Sequence, residues 1–128
     1  MREILFRGRT LPKEAGEFND IWVYGDLIQC GNRFYIHPKS NNISVAGDIG
    51  KTVVMHEVQP KTVGQFTGFL DRCGTKVFEE DCIGHELNVV EMLNGDWCIN
   101  GDRPLQSFIK GQEVIGNIHN RIETRKRV

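Results

Sequence analysis

The sequence lacks the features that membrane and secreted proteins need. It has no apolar run near the roughly 20 residues that a helix requires to cross a bilayer. The opening MREILFRGRT has neither an apolar core segment nor a small-residue cleavage site, and so predicts no signal peptide. Its four cysteines, at positions 30, 73, 82 and 98, come with no sign of secretion. We therefore expect a cytoplasmic protein with no membrane partner and with four reduced, unpaired thiols.

The chain also lacks an excess of charge of either sign. Sixteen basic and seventeen acidic residues leave a formal net charge of −1, which excludes a general attraction to nucleic acid or to anionic membranes. Its 128 residues suffice for one ordinary domain or two very small ones. We predict an N-terminal β segment over residues 1–60 and a C-terminal one over residues 61–128, with a single compact unit as the alternative.

No segment shows a sustained period of 3.6 residues, so long helices are not expected, and fourteen glycines suggest many tight turns. The predicted fold is mainly β, with short antiparallel strands and hairpins and little helix. Gly31–Asn32 and Asn94–Gly95 are two-residue hairpin signals. Gly25–Asp26 predicts a bulge or bend within the strand from Ile21 to Cys30. The remaining predicted strands cover residues 2–7, 33–37, 43–45, 51–58, 63–70, 87–93, 96–99 and 112–119, and residues 105–110 predict one or two helical turns.

The stretch VQPKTVGQFTGFLDRCGTKVFEEDCI, from Val58 to Ile83, resembles the characteristic motif of the YopX family. The segments MREILFRG, WVYGDLI and EVIGNIH are similar to family features as well. The resemblance implies a phage or prophage origin, a mainly β fold with a small SH3-like barrel, and a homo-oligomer. It implies no activity. The motif residues, whose role the resemblance leaves open, are Thr62, Val63, Gly64, Gln65, Phe66, Thr67, Gly68, Asp71, Gly74, Glu79 and Asp81.

One departure from the family motif bears on local structure. Glu80 stands where the family usually has glycine, directly before Asp81. An Asp side chain accepts hydrogen bonds from backbone N–H groups about two residues further along the chain and so fixes a tight turn. We expect Asp81 to be structural in this way, in a bend that resembles the one at Asp26. In that case Glu80 either avoids a positive φ or tolerates some strain.

Two clusters of ionisable residues suggest chemistry. Glu79, Glu80 and Asp81, close to His85 and Glu86, carry the carboxylates that hard cations such as Mg²⁺ prefer. Neighbouring strand residues point to opposite faces, however, so an acidic solvated edge is the alternative. A zinc site would need Cys73, Cys82, His85 and Cys98. It lacks the usual pair of cysteines separated by two to four residues, and buried cysteines are commonly small core residues. We expect no metal and no cofactor.

Three hypotheses for function follow. The first is a non-enzymatic phage accessory protein that binds a phage or host protein. The second is a nucleic-acid-binding module, with a basic cluster at Arg2, Arg7, Arg9, Arg121, Arg125, Lys126 and Arg127 and with stacking faces at Phe34, Tyr35 or Phe66. The third is a metal-dependent enzyme built on Glu79 and Asp81.

Overall fold

A computed structural model describes residues 3–12, 20–38 and 55–119. The chain divides into two compact units, one of residues 4–63 and one of residues 64–128 with residues 1–3. The described residues are mainly β and antiparallel with little helix, which confirms the predicted fold class. The SH3-like barrel and the boundary between residues 60 and 61 stay predictions. None of the helices in these described ranges is long and apolar enough to cross a membrane.

The unit of residues 4–63 is built on four antiparallel strands, β1 (Phe6–Arg9), β2 (Trp22–Cys30), β3 (Arg33–Pro38) and β4 (His56–Val58). They lie side by side in the order β4-β3-β2-β1. Its hydrophobic core consists of Val23, Ile36 and Val58, with half-buried Phe34 and Leu27 packed against them. Gly31 adopts a φ of 59° between the paired residues Cys30 and Arg33, which confirms the predicted hairpin. A 3₁₀ turn (Pro60–Thr62) follows β4.

The bulge predicted at Gly25–Asp26 is wrong. β2 runs without interruption through both residues, and its pairing with β3 keeps a regular register from Gly25 opposite Pro38 to Cys30 opposite Arg33. A Cβ atom at position 25 would overlap the carbonyl oxygen of His37. The glycine is therefore required by the close approach of two strands. Asp26 lies exposed in mid-strand, so the predicted similarity between the bends at Asp26 and Asp81 is also wrong.

The unit of residues 64–128 contains three small antiparallel groups among its described residues. β5 (Gly64–Leu70) pairs with β6 (Lys76–Phe78), and β7 (Asp81–Ile83) pairs with β11 (Val114–Asn117). β8 (Val90–Leu93), β9 (Asp96–Ile99) and β10 (Arg103–Pro104) form a three-stranded sheet. Its core contains Val77, Ile83, Val90, Ile99 and Leu105, all fully buried. A short helix, α1 (Leu105–Phe108), follows β10.

The Asn94–Gly95 hairpin is confirmed. Leu93 pairs with Asp96 across the turn, and φ is 53° at Asn94 and 85° at Gly95, as a type I′ turn requires. The short helix α1 falls in the predicted segment 105–110. The first strand lies at Phe6–Arg9 and not at residues 2–7. The predicted strand at 43–45 and the first part of the one at 51–58 fall outside the described residues.

Candidate functional site

The two threonines of the family motif are buried and bond to backbone groups. The Thr62 hydroxyl accepts a hydrogen bond from the Arg9 N–H (2.8 Å) and donates one to the Gln59 carbonyl (2.7 Å). The fully buried Thr67 hydroxyl donates to the Val77 carbonyl (2.8 Å) and accepts from the Phe69 N–H (3.2 Å). Both side chains therefore satisfy polar backbone groups that would otherwise be buried without partners.

The other residues at the start of the motif have packing roles. Val63 packs against the core of its unit. A Cβ at Gly64 would come within 3.1 Å of the Glu79 carbonyl oxygen, while the Gln65 N–H and carbonyl both bond to Glu79. Phe66 is buried against Phe78, with their ring centroids 5.6 Å apart. Gly68 and Gly74 adopt positive φ values of 90° and 82°.

Asp71 organises the turn between β5 and β6. Its carboxylate is buried and accepts three backbone hydrogen bonds, from the N–H groups of Cys73 (2.8 Å), Thr75 (2.9 Å) and Val114 (2.8 Å). Burial alone would raise the pKa of this carboxyl. The three amides and the neighbouring Arg72 guanidinium outweigh that effect and lower the pKa below its ordinary value. The position links two stretches of chain about forty residues apart, and its role is structural.

Asp81 is buried at the start of β7, where its Oδ2 accepts a hydrogen bond from the Phe78 N–H (2.7 Å). The role of Asp81 is structural, as expected, but the donor lies three residues before it and not about two residues after it. Glu80, just before it, adopts a φ of 72°, a conformation that costs a non-glycine residue about 1 kcal/mol or more. The strained turn is held on several sides. The Glu80 N–H donates to the Val90 carbonyl (2.8 Å), its carbonyl accepts from the Ile118 N–H (3.2 Å), and its carboxylate lies 3.6 Å from His119 Nε2.

The hypotheses of metal chemistry lose their geometric basis at these positions. The carboxylates of Glu79 and Asp81 both bond to backbone amides, and in the described ranges no three His, Cys, Asp or Glu side chains come together as a metal site. Cys82 and Cys98 are buried and belong to no disulfide, whereas Cys73 is exposed and its thiol donates to the Glu113 carboxylate at 3.3 Å. That contact raises the pKa of the Cys73 thiol and so disfavours a reactive thiolate.

The basic patch predicted from the termini loses two of its members. Arg7 and Arg9 are buried, and their guanidinium groups stack on the Trp22 ring at 4.7 and 5.9 Å from its centroid. Arg9 also forms a 2.9 Å ion pair with Asp20. Two of the proposed stacking faces, Phe34 and Phe66, pack against hydrophobic cores. Arg2 and the arginines and lysine from residue 121 onward lie outside the described residues.

A groove of about 420 Å³ opens on the surface of the unit of residues 64–128. Four large apolar side chains line it, those of Phe69, Met92, Leu93 and Trp97. The β8–β9 hairpin supplies three of them, since Met92 and Trp97 are cross-strand neighbours and Leu93 precedes the turn. Met92 and Leu93 are nearly half exposed, at 46% and 49%. Gly95, Gly101 and Pro104 shape the rest of the rim.

The polar side chains of the groove are acidic or neutral. Asp96 and Asp102 line it, together with Gln106. Glu91 leans toward the same rim, because its Oε1 lies 3.2 Å from where a Cβ of Gly101 would be. A concave site with aromatic walls and a few convergent polar groups is the usual form of a binding site.

Comparison with known proteins assigns the chain to a family. The sequence profile of the family described as YopX protein matches residues 17–123. The chain belongs to the YopX family. No curated protein and no solved structure matches it significantly. Within this YopX protein, the residues of the characteristic family motif form turns, backbone hydrogen bonds and part of the core, and of these residues only Phe69 lines the groove.

Sequence reasoning missed the groove. It predicted the hairpin that supplies three of the groove's side chains but treated it only as a structural element. The sequence did contain a signal for it. Two consecutive large apolar residues, Met92 and Leu93, come directly before the Asn94–Gly95 turn, where polar residues are the norm. Phe69 comes from a strand more than twenty residues earlier, and only the tertiary structure brings it beside Trp97.

Proposed function

We propose that this YopX protein is a non-enzymatic binding module that holds a segment of another protein in the groove at the β8–β9 hairpin. The observation that carries the proposal is a set of apolar side chains around one concavity, the half-exposed Met92 and Leu93 and the partly buried Trp97. In line with the family resemblance, we propose a phage or prophage accessory role in the cytoplasm of a bacterial host.

Energetic reasoning supports a protein partner. Binding energy at protein interfaces concentrates in a few aromatic and large apolar side chains that fill or form pockets. Trp97 is anchored at one edge by the core that it packs against, so its ring is held in place before a partner arrives. A preformed aromatic wall loses little conformational entropy on binding, and this favours affinity.

A photo-crosslinking experiment tests this proposal. A benzophenone amino acid replaces Leu93 in the groove or, as the matched control, Leu87, which is 61% exposed and is not among the groove residues. Both proteins are produced in the cells that carry the gene, irradiated and purified. The proposal expects a defined protein, identified by mass spectrometry, to be cross-linked from position 93 and not from position 87. Equal cross-linking from both positions, or none from position 93, contradicts it.

We also propose that the protein self-associates. Among the described residues, several large apolar side chains besides those of the groove are at least one third exposed, including Tyr24, Leu70 and Ile115. Short strands in small units also leave sheet edges that another copy would cover. These features support the oligomer that the family resemblance implies.

A further inference from the structure

The charge around the groove is one-sided. Of the described residues that line it, Asp96 and Asp102 are acidic and none is Lys or Arg. Arg103 follows Asp102 directly, but its guanidinium lies 5.8 Å from the centroid of the Phe108 ring and the residue does not line the groove. The charged side chains that line the groove or lean toward it, those of Asp96, Asp102 and Glu91, are therefore all acidic.

The asymmetry extends along the sequence that builds this surface. Between Lys76 and Arg103 the chain has no lysine or arginine, although the whole protein is nearly neutral. The seven acidic residues in this interval are Glu79, Glu80, Asp81, Glu86, Glu91, Asp96 and Asp102. A phosphate-bearing partner would be repelled by such a surface, whereas a cationic one would be drawn to it.

The groove presents acidic and aromatic residues together. Asp96 neighbours Trp97 in β9, and both line the same groove of about 420 Å³. A lysine or arginine suits this combination, because its aliphatic stem packs on apolar surface while its charged group reaches carboxylates or the face of a tryptophan.

We infer that the segment held by the groove is basic: a stretch of protein chain in which a lysine or arginine stands beside an apolar side chain. The apolar side chain would contact Phe69, Met92 and Leu93, and the cation would pair with Asp96 or Asp102. This inference rests on the proposed binding function and adds the chemistry of the partner.

Fluorescence anisotropy with three labelled nine-residue peptides tests the inference. The peptides share a leucine-containing core and differ only in whether lysine, glutamine or glutamate alternates with leucine. The full-length protein is compared with an Asp96→Asn/Asp102→Asn variant and with a control variant, Asp26→Asn/Glu86→Gln. The control changes the same number of charges at exposed positions that do not line the groove.

The inference expects the lysine peptide to bind most tightly to the native protein. The groove variant should bind it about fivefold or more weakly, the scale expected for two exposed ion pairs, and the control should stay within about twofold. Equal binding of the lysine and glutamine peptides overturns the inference. So does an equal loss in the groove and control variants, which would show only a general charge effect.

A second pair of variants separates this inference from the proposed function. Leu93→Ser removes an apolar contact from the groove, and Leu87→Ser makes the same change outside it. If all three peptides bind equally but lose affinity only with Leu93→Ser, the groove binds chain segments and the basic preference is wrong. If Leu93→Ser and Leu87→Ser behave alike, the groove is not the binding site and both proposals fail.

The same assay distinguishes a second copy of this chain from a different partner. Residues 120–128, NRIETRKRV, contain four basic residues and the apolar Ile122 and Val128. Displacement of the lysine peptide by a peptide of this sequence would support the basic preference and make another copy the occupant. Failure of this sequence to displace a lysine peptide that has bound in the groove supports an occupant other than a copy of this chain.

Discussion

Asp71 offers the sharpest quantitative prediction about the scaffold. Replacing it with alanine removes a buried carboxylate that accepts hydrogen bonds at 2.8, 2.9 and 2.8 Å from three backbone amides. Each buried amide that loses its acceptor costs about 1–3 kcal/mol. The Cys73 and Thr75 amides lie in an exposed turn where water replaces part of the loss, while the Val114 amide belongs to half-buried β11.

We therefore expect Asp71→Ala to lower the free energy of unfolding by about 3 kcal/mol, near the lower end of the per-bond range. Asp71→Asn should cost roughly half as much, because its one carbonyl oxygen can serve either the turn or β11 but not both. Urea denaturation at pH 7 measures these differences, with Glu86→Ala, at an exposed acidic position, as the control. A loss for Asp71→Ala below about 1 kcal/mol, or one equal to that of Glu86→Ala, would refute the reasoning.

The same residue gives a prediction about pH. Its pKa is lowered in the folded protein from an ordinary value of 3.8. A carboxyl with a lowered folded pKa contributes its stability above the unfolded pKa and loses it as the pH falls through the folded value. The stability difference between the native protein and Asp71→Asn should therefore be constant from pH 7 to about pH 5 and shrink below about pH 4. A difference that stays unchanged down to pH 3 would contradict the lowered pKa.

Three further predictions concern other positions. Asp81→Ala should lower the free energy of unfolding by about 1–2 kcal/mol through loss of the 2.7 Å bond from the Phe78 amide. Asp26→Ala, in an exposed strand position, serves as the comparison, and equal losses would argue against a turn-fixing role. Gly25→Ala should destabilise by about 1–3 kcal/mol or more, because its Cβ would overlap the His37 carbonyl; thermal unfolding no different from the native protein would show that the strands separate easily. Light scattering at micromolar concentration should give a mass above the 14.6 kDa of one chain, and a monomer alone would contradict self-association.

The hairpins were predictable from sequence because their signals are local. Asn94 and Gly95 both adopt a positive φ, and Gly31 adopts one directly before Asn32, which is what each kind of two-residue turn needs whatever surrounds it. Gly25 was misread for the opposite reason. Its requirement comes from a strand twelve residues later, and a glycine in a strand suggests a bulge or a close approach equally well.

The roles of the candidate site residues, like that of Gly25, depend on tertiary contacts and not on local sequence. The conspicuous ionisable residues, Asp71 and Asp81, proved to be internal acceptors for backbone amides, a role that depends on how the chain turns back on itself. The groove combines Phe69 with residues from β8 onward, and no local pattern announces such a combination. The sequence did contain the interval without lysine or arginine, yet this has meaning for binding only once the groove is known.

The most direct test of the central claim is a two-dimensional ¹⁵N NMR titration of the full chain with the lysine peptide. We expect the amides of Met92, Leu93, Trp97 and Asp102 to shift progressively with peptide concentration, and the Trp97 indole signal to move while the Trp22 indole signal stays in place. Shifts confined to residues 4–63, or the same shifts in the Leu93→Ser variant at unchanged affinity, would contradict the claim that this groove is where the protein binds its partner.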